Sequence, residues 1–229
     1  MASKSPVRVL LIGSLGRMGQ AIANLAGSDP DLEIVARCDR DNSIEAGMKM
    51  CEVAIDFSAT DATEEVCRLA RQNQKRLVIG TTGHTAAQKD LIENAAKSVP
   101  IVLASNFSVG VNALFWLSRR AARLLGEKFR VEIVETHHKT KKDAPSGTAK
   151  SLAEILQAEK PGTEIPVHSF REGEVVGEHT VVFAGPGEQL ELKHKAESRE
   201  TFASGALAAA KWVMNQPPGL YSMQDVLGL

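Results

Sequence analysis

Cysteine is scarce in this chain: three residues, Cys38, Cys51 and Cys67, among 229. The number is odd and no pair has C-x-x-C spacing, so neither a disulfide framework nor a zinc site is expected, and a reducing compartment fits best. An excess of charge of one sign is missing too. Lys and Arg total 27 against 28 Asp and Glu, a formal net charge of −1. Such a chain has no global field to hold nucleic acid or an anionic membrane surface, and neither is expected as a partner. No apolar run approaches the roughly 18 residues of a membrane helix. The apolar run at 7–12 stops at Gly13, too short for the core of a secretory leader. Repeats and low-complexity tracts are also lacking. What remains is an ordinary globular composition, 43% hydrophobic and 24% charged, expected to form one or two domains in the cytoplasm.

The first half alternates strand-like and helix-like segments. Short β-branched or apolar runs stand at 7–12, 32–38, 53–57, 76–79 and 101–104. Between them, residues 17–26 place Met18, Ala21, Ile22 and Leu25 at helical spacing, a second helix follows Ser58 or Thr60 through Asn73, and a third starts near Thr85. This order predicts an α/β fold, a Rossmann-type doubly wound parallel sheet with ligands at the carboxyl ends of its strands. After Asn106 the pattern changes. A long helix at 109–125, a strand at 130–135, a polar loop and a helix from Ser146 lead to strand-like runs at 167–171, 178–184 and 189–195. Gly173, Gly177, Gly185 and Gly187 punctuate those runs as turns between antiparallel strands would be. The expected organisation is a dinucleotide-binding domain over 1–107, a second α+β domain for substrate and oligomerisation over 108–200, and a terminal helical segment, 201–229, packing back on the first.

Gly13-Ser14-Leu15-Gly16-Arg17-Met18-Gly19 joins the first strand to the first helix. Glycines there permit a tight turn and close backbone approach, and the helix start offers free N–H groups to a diphosphate. Leu15 stands where the strict G-x-G-x-x-G pattern has glycine, so a purely structural turn stays open. Twenty residues on, the second strand ends at Asp39-Arg40. An acid there can accept from the ribose hydroxyls of NADH, and the adjacent arginine can pair with the extra phosphate of NADPH; both cofactors are expected. Gly80-Thr81-Thr82-Gly83 and Ala104-Ser105-Asn106-Phe107 end the fourth and fifth strands at the same edge. They are suited to the nicotinamide end, or are simply polar turns.

Glu135-Thr136-His137-His138-Lys139-Thr140-Lys141-Lys142-Asp143-Ala144-Pro145-Ser146-Gly147-Thr148 is the most informative segment. Two histidines and three lysines make a local positive pocket in a nearly neutral chain, matched to a small polyanion. Ser146 stands at an N-cap, with the amides of Gly147 and Thr148 opening a helix, a site of carboxylate size. A histidine that exchanges protons near neutrality and a lysine that donates one suit reduction of a C=N or conjugated C=C bond. The plainer alternative is a solvated basic loop before a capped helix. Adjacent histidines on a strand point to opposite faces, so only one is expected to meet substrate. A metal is not expected, because no further ligand has recognisable spacing.

The segments G-x-x-G-R-M-G, D-F-S, I-G-T-T-G, S-N-F-S-V-G-V-N, E-x-H-H-x-x-K-x-D-A-P-S-G-T-A, H-S-x-R-x-G and V-G-E-H-T, taken in order, resemble the dihydrodipicolinate reductase family. So do residues 195–203 and the closing Met223-Gln224-Asp225-Val226-Leu227. The resemblance implies reduction of a cyclic imine dicarboxylate to tetrahydrodipicolinate by NADH or NADPH, in the diaminopimelate route to lysine. It implies that Gly13, Ser14, Leu15, Gly16, Arg17 and Met18 hold the cofactor diphosphate, and that Asp39 and Arg40 read its adenosine ribose. Gly80, Thr81, Thr82, Ser105, Asn106, Phe107 and Ser108 would hold the nicotinamide side. His137 would be the proton donor and acceptor, Lys141 a proton donor, and His138, Gly147 and Thr148 would bind the dicarboxylate substrate. A homotetramer built through an antiparallel sheet of the second domain is implied as well. The segments between Arg40 and Glu52 and before His168 are shorter than the family pattern.

Two other readings compete. A different small-acid oxidoreductase, such as an amino-acid dehydrogenase, would share the two-part plan but has no use for the His-His-Lys segment. A non-catalytic NAD(P)-sensing protein would not need both His137 and Lys141.

Overall fold

A computed structural model describes residues 5–40 and 42–229; for residues 1–4, the expectation of no leader core lies outside the described part. In chain order the elements are β1 (Val7–Ile12), α1 (Arg17–Ala26), β2 (Leu32–Cys38), α2 (Ile44–Met50), β3 (Val53–Asp56), α3 (Thr63–Asn73), β4 (Arg76–Ile79), α4 (Ala86–Ala96) and β5 (Pro100–Leu103). They continue with α5 (Val109–Leu125), β6 (Arg130–His137), α6 (Gly147–Glu159), β7 (Val167–Arg171), β8 (Gly177–Gly185), β9 (Glu188–Ala196), α7 (Glu200–Val213), β10 (Gly219–Tyr221) and α8 (Met223–Leu227). Two compact units result. One runs through Ser108 and takes in Glu200–Gly228; the other is Val109–Arg199.

The first unit is a six-stranded sheet in the order β10-β5-β4-β3-β1-β2, parallel throughout. Its central strands are apolar on both faces, as parallel strands covered by helices must be. Along β1, Leu10 and Ile12 enter one core with Met48, Val66, Leu69 and Ile92 from α2, α3 and α4. Val9 and Leu11 enter the other, with Ile22 of α1 and Ala203, Ala206 and Ala210 of α7. The period of two thus divides one short strand between two cores, and each such side chain contributes roughly 1.5–3 kcal/mol on burial. Small residues let α7 lie close: a Cβ at Gly205 would strike the Phe107 carbonyl. Capping sets the helix starts. Thr85 and Gln88 form a reciprocal capping box on α4, and Ser222 and Asp225 do so on α8. Two short elements here were not expected from sequence, α2 and β10. The expected terminal helical segment, 201–229, is corrected: it is two helices, α7 and α8, with β10 between them adding a sixth strand from the far end of the chain.

The second unit is a four-stranded sheet ordered β7-β6-β8-β9. The expectation of three successive antiparallel strands is corrected. Strand β7 runs parallel to β6, reached by a crossover through α6, while β6–β8 and β8–β9 are antiparallel. Only the β8–β9 connection is a hairpin; Gly173 and Gly177 flank a link between strands that are not neighbours. The core of this unit joins Val131 and Ile133 of β6 and Val181 and Phe183 of β8 to Val111, Leu114 and Phe115 of α5 and Leu152 and Leu156 of α6. Lys160, buried just after α6, donates to the Gly126 and Phe129 carbonyls and closes the end of α5. No helix of the described residues is long and apolar enough to cross a membrane.

Candidate active site

In the first unit, Gly13 takes φ +79° and packs against the Phe57 carbonyl, where a Cβ would lie 2.5 Å from its oxygen. Gly19 packs one turn into α1 against the same loop, and a Cβ there would strike the Gly13 carbonyl. The loop is therefore folded as tightly as its glycines allow. No side chain caps α1 at Gly16, which leaves the helix start open to an anion. Two cavities meet here. One, about 420 Å³, is lined by Gly13, Gly16, Asp39, Arg40 and Phe57 among others. The second, about 490 Å³, shares Gly16, Phe57, Ser58 and Ala59 and adds Arg17, Met18, Gly80, Thr81 and Thr82. Together they follow the carboxyl ends of β1 to β4, an elongated cleft with an acid and a cation at one end. That shape and donor set fit a dinucleotide.

The remaining expected residues sit differently. Asp39 accepts from the Ser14 hydroxyl at 2.5 Å and from the Leu15 amide at 3.2 Å, so its carboxylate braces the glycine loop. Leu15 itself is exposed. Phe107 and Ser108 are buried, Phe107 in the sheet core with its ring 5.5 Å from that of Phe57, and Asn106 accepts from the Ser108 amide. Neither cavity is lined by residues 105–108. Phe57 and Ser58, central to the cleft, were legible as part of the D-F-S resemblance, Ser58 also as a candidate helix cap, and Ala59 beside them was not singled out. Asp56 beneath them is buried; burial raises its pKa, opposed by hydrogen bonds from the Ser58 hydroxyl and amide. Burial also raises the thiols of Cys51 and Cys67 to about 11, and it and the charge of Asp39 raise Cys38, so none is a ready thiolate.

In the second unit, β6 is longer than expected and carries His137 as its last residue. Residues 131, 133, 135 and 137 share one face: Val131 and Ile133 enter the core, and Glu135 and His137 continue the same stripe as buried polar groups. Across the sheet, Glu135 pairs with Ser169 and His179, and His137 pairs with Arg171. Glu135 accepts from His137 Nδ1, from Arg171 at 2.9 Å and, at 3.4 Å, from the Ser146 amide. Arg171 also donates to the Asp143 carbonyl, tying the loop to β7. Ser146 caps α6 by accepting from the Ala149 amide, and its hydroxyl lies 3.1 Å from His179 Nε2. His137 and His179 meet edge to face at 5.0 Å.

Electrostatics follow from this packing. Burial favours a neutral Glu135, but hydrogen bonds from Arg171 and Ser169 outweigh it and hold the carboxyl below its usual range. Burial lowers His137, partly countered by Glu135 and reinforced by Lys141 and Arg171. His179 is pushed down to about 3, chiefly by burial and then by His137. Glu135, His137 and His179 bring possible ligand atoms within 4.8 Å of one another. Arg171 already holds the Glu135 carboxylate; within the trio only Glu135 and His137 are hydrogen-bonded, while His179 meets His137 through its ring and Ser146 through Nε2. Lys141 pairs with Asp143 at 2.8 Å, half-buried; burial opposes the Asp143 charge, and Lys141 more than offsets it. His138 turns elsewhere, 2.8 Å from the Thr140 hydroxyl. Thr148 is buried and Gly147 exposed at the start of α6. Sequence reasoning passed over Glu135, Arg171 and His179. The signal for the first was its spacing of two from His137 on a strand; for His179 it was a polar residue in the apolar stripe of Val181 and Phe183.

A parallel doubly wound sheet with a glycine-loop cleft, joined to a unit bearing a His–Glu–Arg cluster beside a capped helix, defines a nicotinamide-dependent oxidoreductase. Family models for the N-terminus and C-terminus of dihydrodipicolinate reductase match residues 7–107 and 110–227. The chain belongs to the dihydrodipicolinate reductase family. It is 49% identical to the 4-hydroxy-tetrahydrodipicolinate reductase of Akkermansia muciniphila over 97% of this chain and 98% of that one. Identity to the enzyme of the same name from Zymomonas mobilis is 43% over the full length of both. Among solved structures, the dipicolinate-bound dihydrodipicolinate reductase of Paenisporosarcina sp. TG-14 superposes with a TM-score of 0.84 at 26% identity, covering 96% of this chain and 98% of that one. A DAP dehydrogenase of C. glutamicum shares the fold, with a TM-score of 0.61 at 11% identity, covering 96% of this chain and 93% of that one.

Proposed function

We propose that this protein reduces 4-hydroxy-tetrahydrodipicolinate, or the dihydrodipicolinate derived from it, to tetrahydrodipicolinate in the cytoplasm, using NADH or NADPH. The observation that carries the proposal is the buried His137, hydrogen-bonded to an ionised Glu135 and placed on the unit that also presents Lys141 and the start of α6. Glycines 13, 16 and 80, with Ser14, Leu15, Arg17, Met18, Thr81 and Thr82, hold the cofactor along the cleft; Asp39 and Arg40 take its adenosine end. Residues Ser105, Asn106, Phe107 and Ser108 shape the nicotinamide side through backbone groups, since the Phe107 side chain belongs to the core. The bound nicotinamide supplies the hydride. His137 exchanges the proton at Nε2, and Lys141 releases Asp143 to meet substrate charge and assist protonation. His138 and the amides of Gly147 and Thr148 receive the two carboxylates.

The division of labour follows the two units, residues 1–107 with 201–229 for dinucleotide and 108–200 for substrate and assembly. A homotetramer is part of the same proposal. The sheet face opposite the second core carries Val134, Thr180 and an exposed Phe170 among the ion pairs Glu132–His168 and Glu178–Lys193, a mixed surface of the kind through which a second copy would pair. The test of function is NADPH or NADH oxidation with freshly generated dihydrodipicolinate. Turnover only with aspartate or lactate and NAD would favour an amino-acid or hydroxy-acid dehydrogenase. Dinucleotide binding without any turnover would favour a sensing protein.

A further inference from the structure

Glu135 has no surface exposure, yet it is held as a carboxylate by Arg171 from β7, Ser169 opposite it and the amide of Ser146. A fully buried charge on a strand is costly unless each oxygen is partnered, and here each is. One oxygen faces Arg171 and Ser146; the other faces His137 Nδ1. An ionised carboxylate can only accept, so the proton of a neutral His137 is drawn to Nδ1 and the lone pair is left at Nε2. Nothing among the described residues hydrogen-bonds that Nε2. Its near neighbour across the sheet is Gly177, where a Cβ would stand 3.1 Å away and crowd the atom.

We infer that Glu135 is a positioning residue: it fixes the tautomer and orientation of His137 and, through the Ser146 amide, ties that ring to the start of α6. The inference rests on the reading of His137 as the proton-exchanging group. Arg171 serves it at one remove, by holding Glu135 and the Asp143 carbonyl in place. The charged and titratable groups facing the His137 ring are Glu135 on its own strand, Arg171 from β7, His179 from β8 and Lys141 from the loop. Of these only Glu135 stabilises an imidazolium.

The test uses the full-length protein. In histidine-¹⁵N-labelled wild type near pH 7.5, His137 should show a protonated Nδ1 and an unprotonated Nε2; the opposite tautomer overturns the inference. In Glu135→Gln the amide keeps the shape but offers an N–H to Nδ1, reversing the tautomer. The kcat should then fall by roughly 10²–10⁴-fold, the span of a misplaced acid–base group. The limb of its pH profile set by His137 should move to lower pH, because the anion that favoured the imidazolium is gone. Glu135→Asp should recover part of the loss, and NADH affinity should stay within about twofold in both, since the glycine loop belongs to the other unit. A Glu135→Gln enzyme with wild-type kcat and pH profile overturns the inference. The two readings separate cleanly: normal turnover in His137→Ala removes the role of His137 itself. An inactive His137→Ala beside an unchanged Glu135→Gln removes only that of Glu135. If Glu135→Gln fails to fold, the tautomer in the wild-type protein decides.

Discussion

Gly19 and Gly27 lie at opposite ends of α1, and replacing each by alanine should have opposite effects. Alanine in a helix interior is favoured over glycine by about 1 kcal/mol when nothing intervenes. At Gly19 the new Cβ would stand 2.6 Å from Ser14 Cα and 2.8 Å from Ser14 C, closer still to the Gly13 carbonyl. Reaching an ordinary 3.4 Å contact with Ser14 Cα requires 3.4 − 2.6 = 0.8 Å of movement. The obstacle is backbone on every side, so no rotamer relieves it. Overpacking of this kind costs roughly 1–3 kcal/mol, which exceeds the propensity gain, and the displaced strand-to-helix turn is the one whose amides would face the diphosphate. A shift of about 1 Å in a positioning element can cost on the order of 10²-fold. At Gly27 the Cβ would lie 3.4 Å from the Asn24 carbonyl, at a backbone φ of −62°. There, alanine should be neutral or stabilise by roughly 0.4–1 kcal/mol through the unfolded chain. Thermal melts and fluorescence titrations with NADH check both. Gly19→Ala should lower Tm by several degrees, about 2–4 °C per kcal/mol, and weaken NADH by tenfold or more; Gly27→Ala should do neither. Parent-like NADH binding and Tm in Gly19→Ala, or equal losses in the two variants, would refute the contact argument.

Lys141→Ala and His137→Ala should each reduce turnover by roughly 10²–10⁴-fold, with the double variant losing less than the product of the two. A merely solvated loop would show changes within about 0.5 kcal/mol in stability and near-normal turnover. Arg40→Ala should weaken NADPH much more than NADH in the same titration; equal losses would remove Arg40 from phosphate reading. His179 binds its proton far less readily folded, at about 3, than unfolded near 6.5. Its contribution to stability is therefore complete above pH 6.5 and is lost as pH falls towards 3, and denaturation curves at pH 5 and 7.5 should differ less in His179→Gln than in the parent. Light scattering at micromolar concentration should give about four times the 24.6 kDa of one chain, and a mass near 24.6 kDa would contradict the tetramer.

The first sheet was legible because its strands are short, apolar on both faces and mostly separated by segments of helical spacing, although α3 starts at Thr63 without a side-chain cap rather than from the expected Ser58 or Thr60. A local pattern of this kind needs no partner to be read. Strand β10 was not legible: three residues, Gly219–Tyr221, become a strand only because the edge of β5 is there to pair with them. The second sheet failed for a related reason. Glycines mark turns, but they do not say which strands become neighbours, and β7 joined β6 in parallel through α6.

The site divides along the same line. The residues proposed to carry the chemistry stood in the sequence by type and spacing: the glycine loop, Asp39-Arg40, His137, Lys141 and the Ser146 cap. Even the alternation that puts Glu135 and His137 on one face was there, since a strand repeats every two residues. Which groups would surround them was not. Arg171 and His179 stand 34 and 42 residues beyond His137 in the chain, and only the pairing of β6 with β7 and β8 brings them together. Local sequence determines what a side chain can do and which way it faces. Burial and cross-strand neighbours decide whether it keeps its charge, and those are set by where distant parts of the chain come to rest.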